Sequence, residues 1–182
     1  MQIVFRVRLV PDDFAVPEVA DHPKFHLHPL RLKDAPEDYA AIMQDYRGHL
    51  AAFSDEPDLS GKGRYDLHYN MQQLGWHEQE FYKRTSFTYV IRGKDSTRPS
   101  YRGCVYLMPS PKRDHDVVVY LWVTDAGDDL EADVLAFTKR WLKNAWPFEY
   151  PVFPRAEMSM DEFNKLPDGR TYAHQVYWGK KR

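Results

Sequence analysis

Residues 86–123 read SFTYVIRGKDSTRPSYRGCVYLMPSPKRDHDVVVYLWV. Three runs within them, 86–92, 101–108 and 116–123, are rich in β-branched and aromatic residues, the types that suit a pleated, half-buried surface. The spacers GKDSTRPS and PSPKRDHD draw on Gly, Pro, Ser and Asp and read as turns. Short spacers between adjacent strands predict antiparallel pairing. The third run is apolar on both faces, so it is expected to be the central strand.

Downstream, Leu130, Val134, Phe137, Trp141 and Leu142 fall on one helical face. Asp128 and Glu131 stand in capping-box relation, Asp129 adds charge at the positive end of the dipole, and Pro147 follows the last turns. Residues 150–153 read as a short strand, 159–166 as a short helix capped by Ser159, and 172–178 as a final strand. Upstream, the spacing of Leu67, Met71, Leu74 and Phe81 predicts helix over 65–84, with Gly75 a candidate break. Residues 54–64 form a polar, glycine-bearing loop. Asp34 is expected to cap a helix of about four turns on the stripe Tyr39, Ile42, Met43, Tyr46 and Leu50. Residues 25–32 alternate as a strand with Pro29 marking an edge or bulge. Residues 11–24 carry three prolines and read as a connector, after a strand over 3–10. The expected class is α+β, a three-layer α/β/α arrangement around a mixed, mostly antiparallel sheet.

Length and composition bound the function. A chain of 182 residues and 21.5 kDa is one domain at ~100–200 residues per domain. Lys+Arg at 25 against Asp+Glu at 27 leaves −2, which excludes a general affinity for nucleic-acid backbones. The longest purely apolar stretch, 117–123, is far short of the ~20 residues that cross a bilayer. Cys104 is the only cysteine and suits a reducing compartment, so a soluble, cytoplasmic protein is expected.

The order of elements, with the phrases at their joints, resembles the GNAT superfamily of N-acetyltransferases from about residue 25 to about residue 154. FHLHPLRLKDAPEDYAAI is similar to that family's first strand and helix, and SFTYVI and YRGCVYLM to its second and third strands, with Gly103, Val105 and Leu107 in a Gly-x-Val-x-Leu pattern. VVVYLWVTDAG resembles its fourth strand and following turn, and AFTKRWLKNAWPFEYPVF its third helix and fifth strand. The resemblance implies residues 25–182 as one acyltransferase domain, preceded by the strand and connector of residues 1–24, which could cover the site or build a homodimer. It implies strands four and five splayed apart, with acetyl-CoA between them and acetyl transfer to an amine of a small molecule or peptide.

In that family the pyrophosphate sits on a Gln/Arg-x-x-Gly-x-Gly/Ala turn, where small residues leave backbone N–H groups bare at a helix N-terminus. Here the stretch is Thr124-Asp125-Ala126-Gly127-Asp128-Asp129: Gly127 matches the first glycine, Thr124 stands at the Gln/Arg position and Asp129 at the second glycine. The resemblance thus places Trp122, Val123 and Gly127 on the cofactor edge. Asp125, Asp128 and Asp129 carry a second reading, a GNAT-fold binding or regulatory protein that has lost CoA.

Among other groups, Trp76-His77-Glu78-Gln79-Glu80-Phe81 starts like a His-Glu-x-x-His zinc helix, but Phe81 replaces the second histidine. His77, Glu78 and Glu80 remain base candidates, against the ordinary expectation that such charges are solvated. Tyr120 shares a strand face with Trp122 and is a pocket candidate, against the plainer expectation of core packing. His26 and His28 share a face without an identifiable third ligand, so no metal is expected. Cys104, in an apolar run, is expected to be an inert buried thiol. Many family members carry an acidic tyrosine on the helix after strand five; SMDEFNKLP has none.

Overall fold

The protein is described from a computed structural model, which covers residues 8–54, 58–97, 100–124 and 130–169. Its strands are β1 (Ala20–Asp21), β2 (Phe25–Pro29), β3 (Phe87–Gly93), β4 (Tyr101–Pro109), β5 (Val117–Val123) and β6 (Pro151–Val152). Its α-helices are α1 (Ala35–Gln44), α2 (Tyr46–Ala51), α3 (Leu67–Lys83), α4 (Leu130–Ala145) and α5 (Met160–Lys165). The strands form one sheet in sequence order, antiparallel from β1 to β5 and parallel between β5 and β6.

Alternation along the strands sorts the core into two layers. Phe87, Tyr89, Val105, Leu107, Val117 and Val119 point to the face covered by α4 through Val134, Trp141 and Leu142. Val90, Cys104, Tyr106, Val118, Tyr120 and Trp122 point to the opposite face, covered by α1, α2 and α5 through Ile42, Tyr46 and Phe163. Helices on both faces of a mixed, mostly antiparallel sheet make the three-layer α/β/α arrangement expected from the sequence.

Two features of β4 and β5 shape the site. β6 pairs only with Val117 and Val118, so the edge of Val119–Val123 away from β4 meets no strand among the described residues. The sheet opens there. On the β4 side, Gly103 has φ +114°, and a Cβ on it would overlap the Trp122 carbonyl oxygen and lie 3.1 Å from the Val123 Cα. The register between β3 and β4 shifts at this point, the mark of a β-bulge. Only glycine allows both the bulge and this close approach of two backbones.

Several expectations change. The helix over residues 34–50 is two helices, because Asp45 leaves helical geometry (φ −125°, ψ 49°) and its carboxylate caps α2 by accepting from the Gly48 N–H. A side chain on Gly48 would collide with that carboxylate. Asp34 occupies the N-cap position of α1 without capping it; its carboxylate accepts instead from the Arg31 N–H at 2.9 Å and Arg92 Nη2 at 2.8 Å. Gly75 does not break α3, which ends at Arg84 in the left-handed region (φ 61°). The connector contributes β1 to the sheet edge, and part of the loop over 54–64 is a 3-10 helix, Leu59–Arg64. β5 is buried on both faces yet is central only at its first two residues, because layers cover its faces while β6 covers so little of its edge. Leu9 and Val10 lie outside any strand; residues 3–7 and the final strand over 172–178 lie outside the described residues.

Beyond β6, α5 is capped by Ser159, whose hydroxyl accepts from the Glu162 N–H while Glu162 accepts from the Ser159 N–H, as its sequence predicts. The C-terminal end of α5 is held by Lys112 from the β4–β5 turn. Its ammonium, nearly buried, donates to the Asn164 and Leu166 carbonyls at 3.1 and 3.0 Å and to Asp168 Oδ1 at 2.7 Å.

Candidate active site

The register brings Thr88, Tyr106 and Tyr120 side by side across β3, β4 and β5, and Val90, Cys104 and Trp122 in the adjoining row. Both rows face α2 and α3. Above the first row sit His77 of α3, with its ring 5.7 Å from Tyr106, and Phe53, which follows α2, at 5.1 Å from Tyr106 and 5.2 Å from Tyr120. Above the second sits His49 of α2, whose ring meets the Trp122 indole edge-on at 4.7 Å. The Trp122 Nε1–H donates to Asp45 Oδ2 at 3.2 Å, so one carboxylate both caps α2 and ties it to β5.

Most of the polar groups under these rings are internally matched, His49 Nδ1 and Asn70 Oδ1 being exceptions among the described residues. Glu80, 6% exposed, accepts from the Ser86 hydroxyl at 2.7 Å, and its carboxylate lies 4.0 Å from His77 Nδ1. That nitrogen is 3.2 Å from the Thr88 hydroxyl. Burial pushes the imidazoles of His49 and His77 down to about 4, so both are uncharged at neutral pH. Burial also pushes the Tyr120 phenol up to about 12. Behind the rings, the Asp38 carboxylate on α1 is 3% exposed and accepts from the Tyr101 hydroxyl and from Asn70 Nδ2. Its removal from water raises it from 3.8 to about 6. Cys104 Sγ lies 3.1 Å from the Tyr101 hydroxyl, and burial pushes the thiol well up, so it is no nucleophile.

Each residue singled out from the sequence can now be placed. Tyr120 and Trp122 face the same layer, buried, on the strand that opens. Val123 is the last residue of β5, half-buried and paired with Gly103. Glu80 is not solvated: it joins Tyr120 through the chain His77, Tyr106 and Phe53. Glu78 turns away, accepting from the Leu32 N–H. Gly127, with Asp125, Asp128 and Asp129, lies outside the described residues. His49, Phe53 and Asp45 were not singled out; a single histidine and phenylalanine on a short helix and its exit carry no spacing signal, and Asp45 would have been found only by reading its relation to Gly48 as a cap. Among the described residues no group of three or more His, Cys, Asp or Glu is placed to hold a metal, and no helix is long and apolar enough to cross a membrane.

The three-layer sheet thus opens between its last two strands, with an aromatic face beside the opening. The chain has the fold of the GNAT superfamily. No protein-family profile matches the sequence, and no curated protein does. Solved structures do match. RimJ of Mycobacterium smegmatis in complex with CoA-disulfide is similar over 66% of this chain at 17% identity and a TM-score of 0.51, and the chain spans 57% of RimJ. The ribosomal-protein-S5-alanine acetyltransferase of Vibrio fischeri is similar over 70% of this chain and 68% of its own, at 15% identity and a TM-score of 0.52. The microcin C7 self-immunity acetyltransferase MccE, in complex with acetyl-CoA and AMP, is similar over 69% of this chain and 67% of its own, at 12% identity and a TM-score of 0.52. At these identities the likeness is one of fold.

Proposed function

We propose that the protein is an N-acetyltransferase that moves an acetyl group from acetyl-CoA to the amine of a small molecule or peptide. The observation that carries this reading is the opening of the sheet at β5: Val119–Val123 offer backbone N–H and C=O groups on an edge that β6 leaves uncovered. An extended chain with alternating amides, such as a pantetheine arm, pairs with such an edge as an added strand would. Trp122 and Val123 would hold that arm, with Gly127 in the turn beyond. The fit rests on that exposed edge and on the small Gly103 opposite Val123. RimJ and MccE were solved with CoA-disulfide and with acetyl-CoA, which supports the same use of the fold here.

Bound acetyl-CoA would supply a thioester carbonyl activated towards attack. The chain's own residues would do the positioning. The Tyr106–Tyr120 row and Trp122 set the floor of the acceptor site, and Asp45 fixes Trp122 against α2. The acceptor nitrogen forms the new C–N bond as the C–S bond breaks, and the proton it loses balances the departing thiolate. Glu80 and His77 form the polar flank that could relay that proton. Holding the reactants in line is itself a large share of such catalysis.

Three aspartates around Gly127 favour the competing reading, a binding or regulatory protein on the same fold without CoA, because anions compete with a pyrophosphate for the same N–H groups. Thermal denaturation with and without millimolar acetyl-CoA separates the two. Ligand at ~100 times its Kd adds ~2.7 kcal/mol to stability. A saturable rise in Tm with acetyl-CoA is expected; no rise at millimolar concentration rejects the transferase reading.

A further inference from the structure

We propose that the protein forms a weak two-fold dimer through the outer side of α3, with two copies of that helix lying antiparallel across Gly75. The proposal stands apart from the transferase reading and does not depend on it.

Exposed apolar surface is gathered on this helix. Among the described residues eight large hydrophobic side chains are exposed, and five of them, Leu67, Tyr69, Met71, Trp76 and Tyr82, belong to α3. A sixth, Leu32, abuts it, since its N–H donates to Glu78. Single exposed apolar residues are ordinary on a protein surface; a concentration on one element marks a contact face. The charges of the helix are meanwhile withdrawn. Glu80 is buried, and Glu78 is half-buried on the Leu32 N–H. After the Asp66 cap, the first exposed Lys, Arg, Asp or Glu is Lys83 in the last turn. Aromatic and methionine side chains with no acid or lysine among them have the composition of an interface.

Symmetry selects the occupant. α3 has 17 residues, and Gly75 is its midpoint. Glycine is among the poorest helix formers, yet nothing lies within 4 Å of a Cβ built there, so no packing within the chain calls for it. A bare backbone at the centre of an exposed face lets a second helix come close. When that helix is another α3, antiparallel about the midpoint, the face meets itself, as a two-fold interface requires. Met71 then falls opposite Gln79, and His68 opposite Tyr82. The ends match in charge. Asp66, exposed at the N-cap of one protomer, is set beside the exposed Lys83 of its partner, and the same pair repeats at the other end.

Area sets the strength. Trp76, Tyr82 and Tyr69 are 53%, 68% and 45% exposed. At ~150–250 Å² a ring, these and the aliphatic and amide side chains between them give on the order of 500 Å² per protomer. The total of ~1,000 Å² is the lower bound of a specific interface, which is why the dimer is a weak one.

Sedimentation velocity of the full chain across ~1–500 μM at low salt is the test, over the range in which so small an interface dissociates. We expect a reversible monomer–dimer equilibrium. Gly75→Glu sets a carboxylate against its own copy at the two-fold axis and should weaken the dimer at least ~tenfold. At the lowest concentration its melting temperature should be no lower than that of the wild type, because a better helix former replaces glycine at an open site. Met71→Lys repeats the disruption away from the glycine. Lys83→Glu places like charges together at both ends, so its weaker dimer should tighten with added salt where the wild type loosens. A chain that stays monomeric at ~500 μM overturns the proposal. A dimer of unchanged affinity in folded Gly75→Glu and Met71→Lys overturns it too, since the contact then lies on another face. Acetyl-CoA plays no part in this readout, so the transferase reading stands or falls separately.

Discussion

Asp38 makes stability depend on pH in a direction opposite to that of most carboxylates. Burial beneath Tyr101 and Asn70 holds its carboxyl at about 6 in the folded chain, against 3.8 in the open. The folded state therefore keeps a proton that the unfolded state has already released. Its contribution is fully present below about pH 4 and is lost as pH rises through about 6. With ~1.4 kcal/mol for each pH unit between the two values, the loss is about 3 kcal/mol by pH 7. Asp38→Asn replaces the protonated carboxyl with a neutral group of the same shape. Asn70 Oδ1, which has no partner among the described residues, can accept from the new amide. Urea denaturation of both proteins at steps from pH 4 to pH 7.5 reads the effect. The variant should equal the wild type near pH 4 and gain on it by ~1–3 kcal/mol by pH 7, with the change centred between pH 4 and 6. Parallel stability curves over that range, or a variant equally destabilised at pH 4 and pH 7, would refute the reasoning.

Gly103→Ala sets a Cβ against the Trp122 carbonyl at a φ that L-residues rarely adopt, so stability should fall by ~2 kcal/mol or more, read by thermal melting. Because the strain falls where β4 meets the open end of β5, acetyl-CoA affinity should weaken with it, and an unchanged Tm would contradict the account of the bulge. Asp45→Ala removes the cap of α2 and the partner of the Trp122 indole, for a loss of ~2–3 kcal/mol in denaturant unfolding. Asp45→Asn keeps one acceptor oxygen, enough for the Gly48 N–H or the indole but not both, and should recover at most about half of the loss; equal losses in the two variants would show that the carboxylate plays neither part.

Alternation was enough to find β2, and runs of β-branched and aromatic residues between turn-like spacers were enough to find β3 to β5, because these strands are buried by layers on both faces. The same signal misled on position. Apolar residues on both faces of β5 reflect helices above and below, and say nothing of whether its edges are paired. The opening at β6 entered only through the family resemblance, since a two-residue strand leaves no periodic trace. The break between α1 and α2 was hidden because Tyr39, Ile42, Met43, Tyr46 and Leu50 keep helical spacing straight through Asp45. What separates the helices is one side-chain-to-backbone bond. Glu80 was a base candidate against the expectation that charges between a helix and a strand are solvated; it is buried and accepts from the hydroxyl of Ser86, six residues on, a contact that no spacing announces. His49 was out of reach for a similar reason, as its surroundings come from β5, more than seventy residues away in sequence.

The attachment of β6 also bears on how the molecule breathes. Every pairing from β1 to β5 joins consecutive strands in antiparallel fashion, whereas β5 and β6 meet in parallel only after α4 has crossed the sheet. Late, long-range pairings of this kind are costly in loop entropy, and here they amount to two residue pairs. The Lys112 ammonium, reaching from the β4–β5 turn to the end of α5, adds a latch at the far side. The segment over residues 151–165 is thus built to open as a local unit, with its amides exchanging ahead of those in β3 and β4. Among the described residues that ladder and Lys112 are joined by the Glu149 and Tyr150 N–H groups on Asp116 and by Arg155 on the Ser54 carbonyl, so the width of the open end of β5 is set by a handful of polar ties and can change while the antiparallel body stays closed.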